Sequence, residues 1–378
     1  MKKKILHILV KPTLAGAQRI SLEILKSLDD TKYDKYVIFS NGQDDNEKKV
    51  LDFTFKAAGI HVFYFDNLVR ELNLKKDILV IRDIYKFCKK YKFDIVHTNS
   101  SKPGVVGRIA ATLARVPFVI HTVHGVSFTK FTPCVVYIAY YLFEMFASFF
   151  CKKIVLVNNY YKKFYKLFKN KVITIYNGMD FTKFTCEKSR REDDIINLLF
   201  VGRLDKQKDP MTILKAFSIL IERKIKVRLT LVGSGEYYDA CKQFVDENRL
   251  NSFVYLPGWQ TNTEKYYAHS DIFVSSSIYE AFGLMYLEAS YSYLPIIATN
   301  VEGTPEVVLD NQTGLLYSPR DYKKLASLIE ELVLDKEKCH RLGINGHNYV
   351  TRMFNIYSMT NKYIDLYENY DKKKEKNN

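Results

Sequence analysis

Several features are scarce in these 378 residues, and each scarcity excludes something. The six cysteines, at 88, 134, 151, 186, 241 and 339, form no Cys-x-x-Cys and no zinc-like cluster. That excludes a disulfide scaffold and a structural zinc module, and fits reduced thiols in a cytosolic chain. No apolar run of spanning length goes uninterrupted. Residues 133–150 come nearest to the ~18–20 that a membrane helix needs, but Glu144 and the hydroxyls of Tyr137, Tyr140 and Tyr141 break the run. We read it as a buried or partly membrane-facing helix. The start, Met1-Lys-Lys-Lys-Ile-Leu-His-Ile-Leu-Val10, imitates a secretory leader, yet Lys11-Pro12 cuts it short and no small-residue cleavage site follows. A first buried strand is the better reading. No internal repeat is detectable.

Acidic residues are short in one half only. Residues 1–180 hold 30 Lys and Arg against 15 Asp and Glu, whereas the remainder holds 27 against 27, so the whole net charge of +15 lies in the first half. A solvated basic face accounts for part of this. A half of one sign also suits an anionic partner, such as a membrane surface, a phosphorylated lipid or nucleic acid.

Short apolar runs alternate with stretches of helical character, the pattern of βα units on a parallel sheet. The first series lies at 5–10, 36–40, 61–65, 94–97, 118–122, 154–157 and 172–175, the second at 196–201, 227–232, 253–256, 272–274 and 295–298. Between them, 182–194 is charged and aperiodic. The expected fold class is therefore α/β, with two doubly wound Rossmann-like domains facing across a cleft that holds the ligand. The expected organisation is a domain at 1–180, a linker at 181–194, and a second domain at 195–355. A C-terminal helix at 356–370 then packs back on the first domain, and 371–378 form a polar, frayed tail.

The second half carries the densest chemistry. After the run at 196–201, Gly202-Arg203-Leu-Asp-Lys-Gln-Lys208 forms a loop, and Asp209-Pro210 opens a helix with an N-cap and a first-turn proline. Arg203 and Lys208 thus offer two cations at a carboxyl-terminal strand edge, suited to a diphosphate. Leu229-Thr-Leu-Val-Gly233-Ser-Gly-Glu236 lets backbone approach a ligand at Gly233, but Tyr238 stands where a dinucleotide fingerprint needs its third glycine. In Asp271-Ile-Phe-Val-Ser-Ser-Ser-Ile-Tyr-Glu280-Ala-Phe-Gly-Leu284, a strand passes through a serine-rich loop into a helix that continues to Glu288. Gly283 permits the tight entry, and Phe282, Gly283 and Leu284 bring amides to a helix N-terminus suited to phosphate. Glu288 is placed for a vicinal diol such as ribose, and Glu280 for a sugar. Gly303-Thr-Pro-Glu306 repeats the strand–loop–helix design. Glu306 either contacts the donor or complements the helix dipole, and both readings stand.

With these residues the chain resembles the family-4 glycosyltransferases of GT-B fold, over nearly its whole length. The resemblance is carried by Glu280 and Glu288 separated by seven residues, Gly202-Arg203-Leu204 with Lys208, and Asn177-Gly-Met-Asp180. Gly303-Thr-Pro-Glu306 and Asn311-Gln-Thr-Gly-Leu-Leu-Tyr317 complete it, in family order. It implies a retaining, metal-independent transfer from a nucleotide sugar, usually a UDP-sugar, with no cofactor because the nucleotide sugar is a substrate. It also implies that Arg203 and Lys208 hold the diphosphate, Glu288 the ribose and Glu280 the hexose. Consistent with that, no Asp-x-Asp occurs in the sequence. Thr13-Leu-Ala-Gly16-Ala17 is similar to the family's glycine-rich loop after the first strand, with Gly16 near the diphosphate. Ala17 replaces a common second glycine, so no phosphate contact is carried over at 17.

Phe118-Val-Ile-His121-Thr-Val-His124-Gly125 matches the segment bearing the family's active-site histidine, assigned to His124, with His121 buried behind it. His97 either touches the acceptor or is a satisfied structural histidine. The segment from His97 to Arg108, with the apolar helix, looks most like enzymes of capsule, exopolysaccharide or O-antigen assembly. The implied partners are a nucleotide-sugar donor, a lipid-linked saccharide acceptor and an anionic membrane, with the protein peripheral at the inner face of the plasma membrane. Two rivals remain: a soluble synthase of sucrose, trehalose or glycogen type, and a nucleic-acid-binding protein stacking bases on Tyr160, Tyr161, Phe164, Tyr165 and Phe168.

Overall fold

The computed structural model describes residues 2–41, 45–69, 73–184 and 194–375. They form two compact units, one of 1–178 with 356–378 and one of 179–355.

The first unit runs β1 (Lys3–Ile8), α1 (Gly16–Ser27), β2 (Tyr33–Ser40), α2 (Asp45–Ala57), β3 (His61–Phe65), α3 (Leu74–Tyr91), β4 (Ile95–Asn99), α4 (Ser101–Leu113), β5 (Phe118–Val123), α5 (Cys134–Ser148), β6 (Lys153–Leu156) and β7 (Val172–Thr174). Its parallel sheet has the order β3-β2-β1-β4-β5-β6-β7, so the chain reverses direction across the sheet between β1 and β4. Helices on both faces bury the central strands, as at Ile5, Leu6, Val96 and Ile120, while the edge strands β3 and β7 are only partly buried, which is why the central strands read as continuous apolar runs.

The second unit runs β8 (Ile196–Val201), α6 (Pro210–Glu222), β9 (Val227–Val232), α7 (Tyr238–Glu247), β10 (Val254–Gly258), α8 (Glu264–Ala268), β11 (Ile272–Val274), α9 (Leu284–Tyr291), β12 (Ile296–Thr299), α10 (Thr304–Val307), β13 (Gly314–Tyr317), α11 (Tyr322–Leu334) and α12 (Lys336–Met353). Its sheet order is β10-β9-β8-β11-β12-β13, reversing between β8 and β11. Phe200, Leu231, Phe217 and Ile329 lie in its core. Asp321 and Asp335 cap α11 and α12 by accepting from the amides of Lys324 and Lys338.

The chain then returns to the first unit as α13 (Ile356–Glu375). Tyr363 and Tyr367 of this helix are fully buried, and Tyr370 stacks on Phe118 at 4.4 Å. α13 runs to Glu375, past the point where the polar tail is expected to fray; lysine-rich sequence extends a helix already anchored by its tyrosines. Residues 376–378 lie outside the described residues, as do 185–193 of the expected linker. The rest of that linker is ordered by contacts: Phe181–Lys183 form a 3₁₀ turn, and Phe184 is buried against Tyr267 and Tyr291.

The apolar segment at 133–150 is α5, and no helix among the described residues is long and apolar enough to cross a membrane. Glu144 points inward to Arg108, while Val135, Leu142 and Phe149 are 80%, 59% and 63% exposed. The charged interruption, Glu144, thus lies on the buried side of the helix, and an apolar side is the open one.

Candidate active site

In the second unit the functional loops leave β8 and β11, the neighbouring strands at the reversal point, where doubly wound sheets open a crevice. The two loops are laced together. The Ser276 hydroxyl donates to the carbonyls of Lys208 and Asp209 at 2.8 Å each, the Ile278 amide to the Gln207 carbonyl at 2.8 Å, and the Gln207 side chain to the Tyr279 carbonyl at 3.1 Å. This lacing brings Lys208 and Glu280 into a direct ion pair, with each side chain 11% exposed.

Arg203 is open to solvent, and its guanidinium pairs with Asp205 (2.9 Å) and donates to Gln207 (2.8 Å). Asp209 does not cap α6 in the way its sequence position suggests. It takes a left-handed backbone (φ 46°), and its carboxylate accepts from the Thr212 hydroxyl at 2.7 Å, while Pro210 starts the helix as expected.

Gly283 enters α9 with φ 80°, and a β-carbon there would sit 2.5 Å from the Tyr286 ring, so the entry requires glycine. Leu284 is the first residue of the helix, and Phe282 turns its ring inward against Phe354. Glu288, one turn on, accepts from the buried Tyr267 hydroxyl at 2.7 Å. Gly233 (φ 144°) is required by the protein's own backbone: a β-carbon would lie 1.8 Å from the Gly202 carbonyl oxygen. Sequence reading assigned that closeness to a ligand, whereas the backbone after β8 occupies it. Glu306 lies in the first turn of α10, and the loop before it is tied to the site by the Gly303 amide donating to the Glu280 carbonyl (3.1 Å).

In the first unit, Gly16 is the first residue of α1, following β1 at that sheet's own reversal point. His124 follows β5; its Nε2 bonds Asn99 Oδ1 at 3.0 Å, and burial lowers its pKa to about 4. His121 is buried, as expected, against Thr98.

Of the two readings of His97, the geometry fits the structural one. It is fully buried, with Nδ1 on the Tyr367 hydroxyl (2.6 Å) and Nε2 on the Thr122 hydroxyl (2.7 Å). Burial, with His7, His124 and His121 nearby, lowers its pKa well below the usual value. Both ring nitrogens are bonded, Nδ1 to α13 and Nε2 to β5, which leaves neither for an acceptor. Asn99, Tyr267 and Ser276 were not singled out from sequence. Their partners lie 25, 21 and 68 positions away, outside any motif.

Two doubly wound parallel sheets, each with its polar loops at the point of reversal, are the architecture of the GT-B glycosyltransferases. Residues 14–183 match the family described as Glycosyltransferase Family 4, and residues 182–349 match Glycosyl transferases group 1. The chain is 31% identical over 390 residues to the Escherichia coli UDP-Gal:alpha-D-GlcNAc-diphosphoundecaprenol alpha-1,3-galactosyltransferase, covering 97% of this chain and 98% of that protein. It is 25% identical to the Staphylococcus aureus capsular polysaccharide biosynthesis glycosyltransferase CapM, covering 99% of each. Among solved structures, Anabaena HepE in complex with UDP and glucose superposes with a TM-score of 0.81 at 18% identity, covering 96% of this chain and 99% of that one. A glycosyltransferase from Rickettsia africae gives a TM-score of 0.78 at 22% identity, covering 98% of each. The chain belongs to the family-4 glycosyltransferases of GT-B fold.

Proposed function

We propose that this enzyme transfers a hexose-type sugar from a UDP-sugar to a lipid-linked saccharide, with retention at the anomeric carbon and without a metal or cofactor, in the assembly of a cell-surface polysaccharide. The Lys208–Glu280 pair carries this reading. Such a transfer develops negative charge on a leaving diphosphate and positive charge on an anomeric carbon, and fixed charges of opposite sign at one place answer both. On donor binding, Lys208 would exchange Glu280 for phosphate, and Arg203 would exchange Asp205. The acceptor oxygen bonds to the anomeric carbon on the face that the diphosphate leaves, and its proton passes to the departing phosphate oxygen. Glu280 stabilises the positive carbon, while the α9 N-terminus adds to the diphosphate site.

Glu288 anchors the ribose, oriented by Tyr267. Glu288→Ala is expected to raise the donor KM by on the order of tenfold or more with little change in kcat, since it removes charge-assisted hydrogen bonds. Steady-state kinetics across donor concentration checks this, and an unchanged KM argues against ribose contact.

For the acceptor, the E. coli relative's lipid diphosphate and the open side of α5 point the same way. Val135, Ile138, Leu142 and Phe146 fall along one side of α5, continued by Phe149 at its C-cap, all 50–80% exposed, with Leu167 at 74% next to Phe168. Exposed Lys162, Lys163, Lys166 and Lys169 belong to the segment packed on this helix through Phe149–Phe168 and Tyr141–Phe164 contacts. An apolar ridge beside cations suits an anionic bilayer at the inner face of the plasma membrane. It also favours the lipid-linked acceptor over a soluble one. Each lysine near the surface contributes about 1 kcal/mol, so phosphatidylglycerol vesicles should retain the protein at low salt and retain markedly less at high salt. Equal retention by phosphatidylcholine vesicles would remove the electrostatic part of this reading.

The function itself is tested by offering a panel of nucleotide sugars with polyprenyl-diphosphate-linked saccharides and determining the product's anomeric configuration by NMR. Transfer only to soluble sugars would reject the acceptor assignment, and inversion would reject the mechanism.

A further inference from the structure

We propose that Asn99 is a positioning residue for His124: it holds the imidazole as the Nε2-protonated tautomer, leaving Nδ1 as an acceptor for a hydroxyl of the transferred sugar. The inference rests on reading His124, which the family resemblance makes the active-site histidine, as the contact to an outer hydroxyl of the transferred sugar.

Asn99 ends β4 and is 1% exposed, and in the β4–β5 ladder it pairs with Thr122, two residues before His124. Its amide nitrogen donates to the His97 carbonyl at 3.4 Å, and a carbonyl can only accept. That orients the amide, so the atom facing His124 is the oxygen. An oxygen acceptor 3.0 Å from Nε2 requires the proton on Nε2. Nδ1 then carries the lone pair, and it makes no hydrogen bond among the described residues.

The surroundings keep the ring neutral. His124 is desolvated, and His7 on β1, His97 on β4 and His121 on β5 lie close enough to interact electrostatically with it, with the Arg108–Glu144 pair behind His121. The backbone contributes as well. Ser100, directly after Asn99, adopts φ 66°, an unfavourable conformation for a residue with a side chain, and is fastened by its amide to the Thr122 carbonyl (3.3 Å). Strain of this kind persists where surrounding structure over-determines it, often at functional sites. The consequence is selectivity. An acceptor at Nδ1 welcomes a sugar hydroxyl and disfavours a donor that presents a carboxylate there, as a uronic acid does.

The test begins with the substrate-free enzyme. Nitrogen-15 NMR of the histidine side chains, with His124 assigned through His124→Gln, should show the Nε2–H tautomer at neutral pH. An Nδ1–H tautomer overturns the proposal. Asn99→Asp keeps shape and acceptor but adds a charge that favours the imidazolium, which has no lone pair on Nδ1. The acid limb of kcat/KM should therefore move up by one pH unit or more, while UDP affinity stays unchanged. Asn99→Ala should show mixed tautomers and about tenfold lower kcat/KM. An Nε2–H tautomer combined with an unmoved pH profile in Asn99→Asp would reject the role in transfer and the sugar contact at His124. Failure to find any donor would leave the tautomer result standing, so the two readings fail separately.

Discussion

Replacing Glu280 with glutamine should lower kcat by on the order of 10²–10³-fold, the loss typical when one preorganised group stops meeting charge that develops in a transition state. UDP should bind at least as tightly as before. In the wild-type protein Lys208 is already neutralised by Glu280 in a site largely closed to water. Glutamine keeps the shape and removes the charge, so the lysine is released for phosphate with no carboxylate to leave. Single-turnover kinetics and calorimetric titration of UDP separate the two effects. Wild-type turnover would remove Glu280 from the chemistry. A parallel loss of UDP affinity would mean that the pair is needed to hold the loop rather than to act on the sugar.

The second large effect lies away from the chemistry. Arg108→Ala should destabilise the first unit by about 3–5 kcal/mol, because it leaves a buried carboxylate uncompensated. Arg108 is fully buried and reaches both oxygens of Glu144 at 3.0 and 2.8 Å, while its Nε donates to the Gly104 carbonyl at 2.6 Å. Tyr165 donates to the same carboxylate at 3.0 Å. Burial alone would lower the Arg108 pKa, but the Glu144 charge outweighs it and the net shift is upward. Replacing both partners with methionine should cost less than Arg108→Ala alone, since two apolar groups need no compensation. Thermal and denaturant unfolding of the single and double variants checks this. A double variant as unstable as the sum of the singles would contradict the account. The pair also fixes which side of α5 faces inward, so these variants should weaken vesicle binding.

Much of the fold is legible in the sequence alone. A parallel sheet buried on both faces demands unbroken apolar runs, and those runs can be seen one by one from 5–10 to 295–298. Loop chemistry at strand ends is equally local. Gly283 must be glycine to enter α9, and Pro210 suits the start of α6, so these loops announce themselves in short stretches. The exposed ridge of α5 was half legible, because composition shows that a helix is apolar without showing which side is covered.

The sequence by itself determined the class of fold, the family and the loops that carry Arg203, Lys208, Glu280 and Glu288, because strand burial and helix entry depend on neighbours a few residues apart. Only the tertiary structure decided the pairings: Lys208 with Glu280 across 72 positions, Asn99 with His124 across 25, and His97 with Tyr367 across 270. A charged or polar side chain becomes functional or structural according to its partner, and sheet order chooses that partner. His97 and His124 are alike as residues, yet one has both ring nitrogens bonded to α13 and β5, and the other leaves Nδ1 without a hydrogen bond among the described residues.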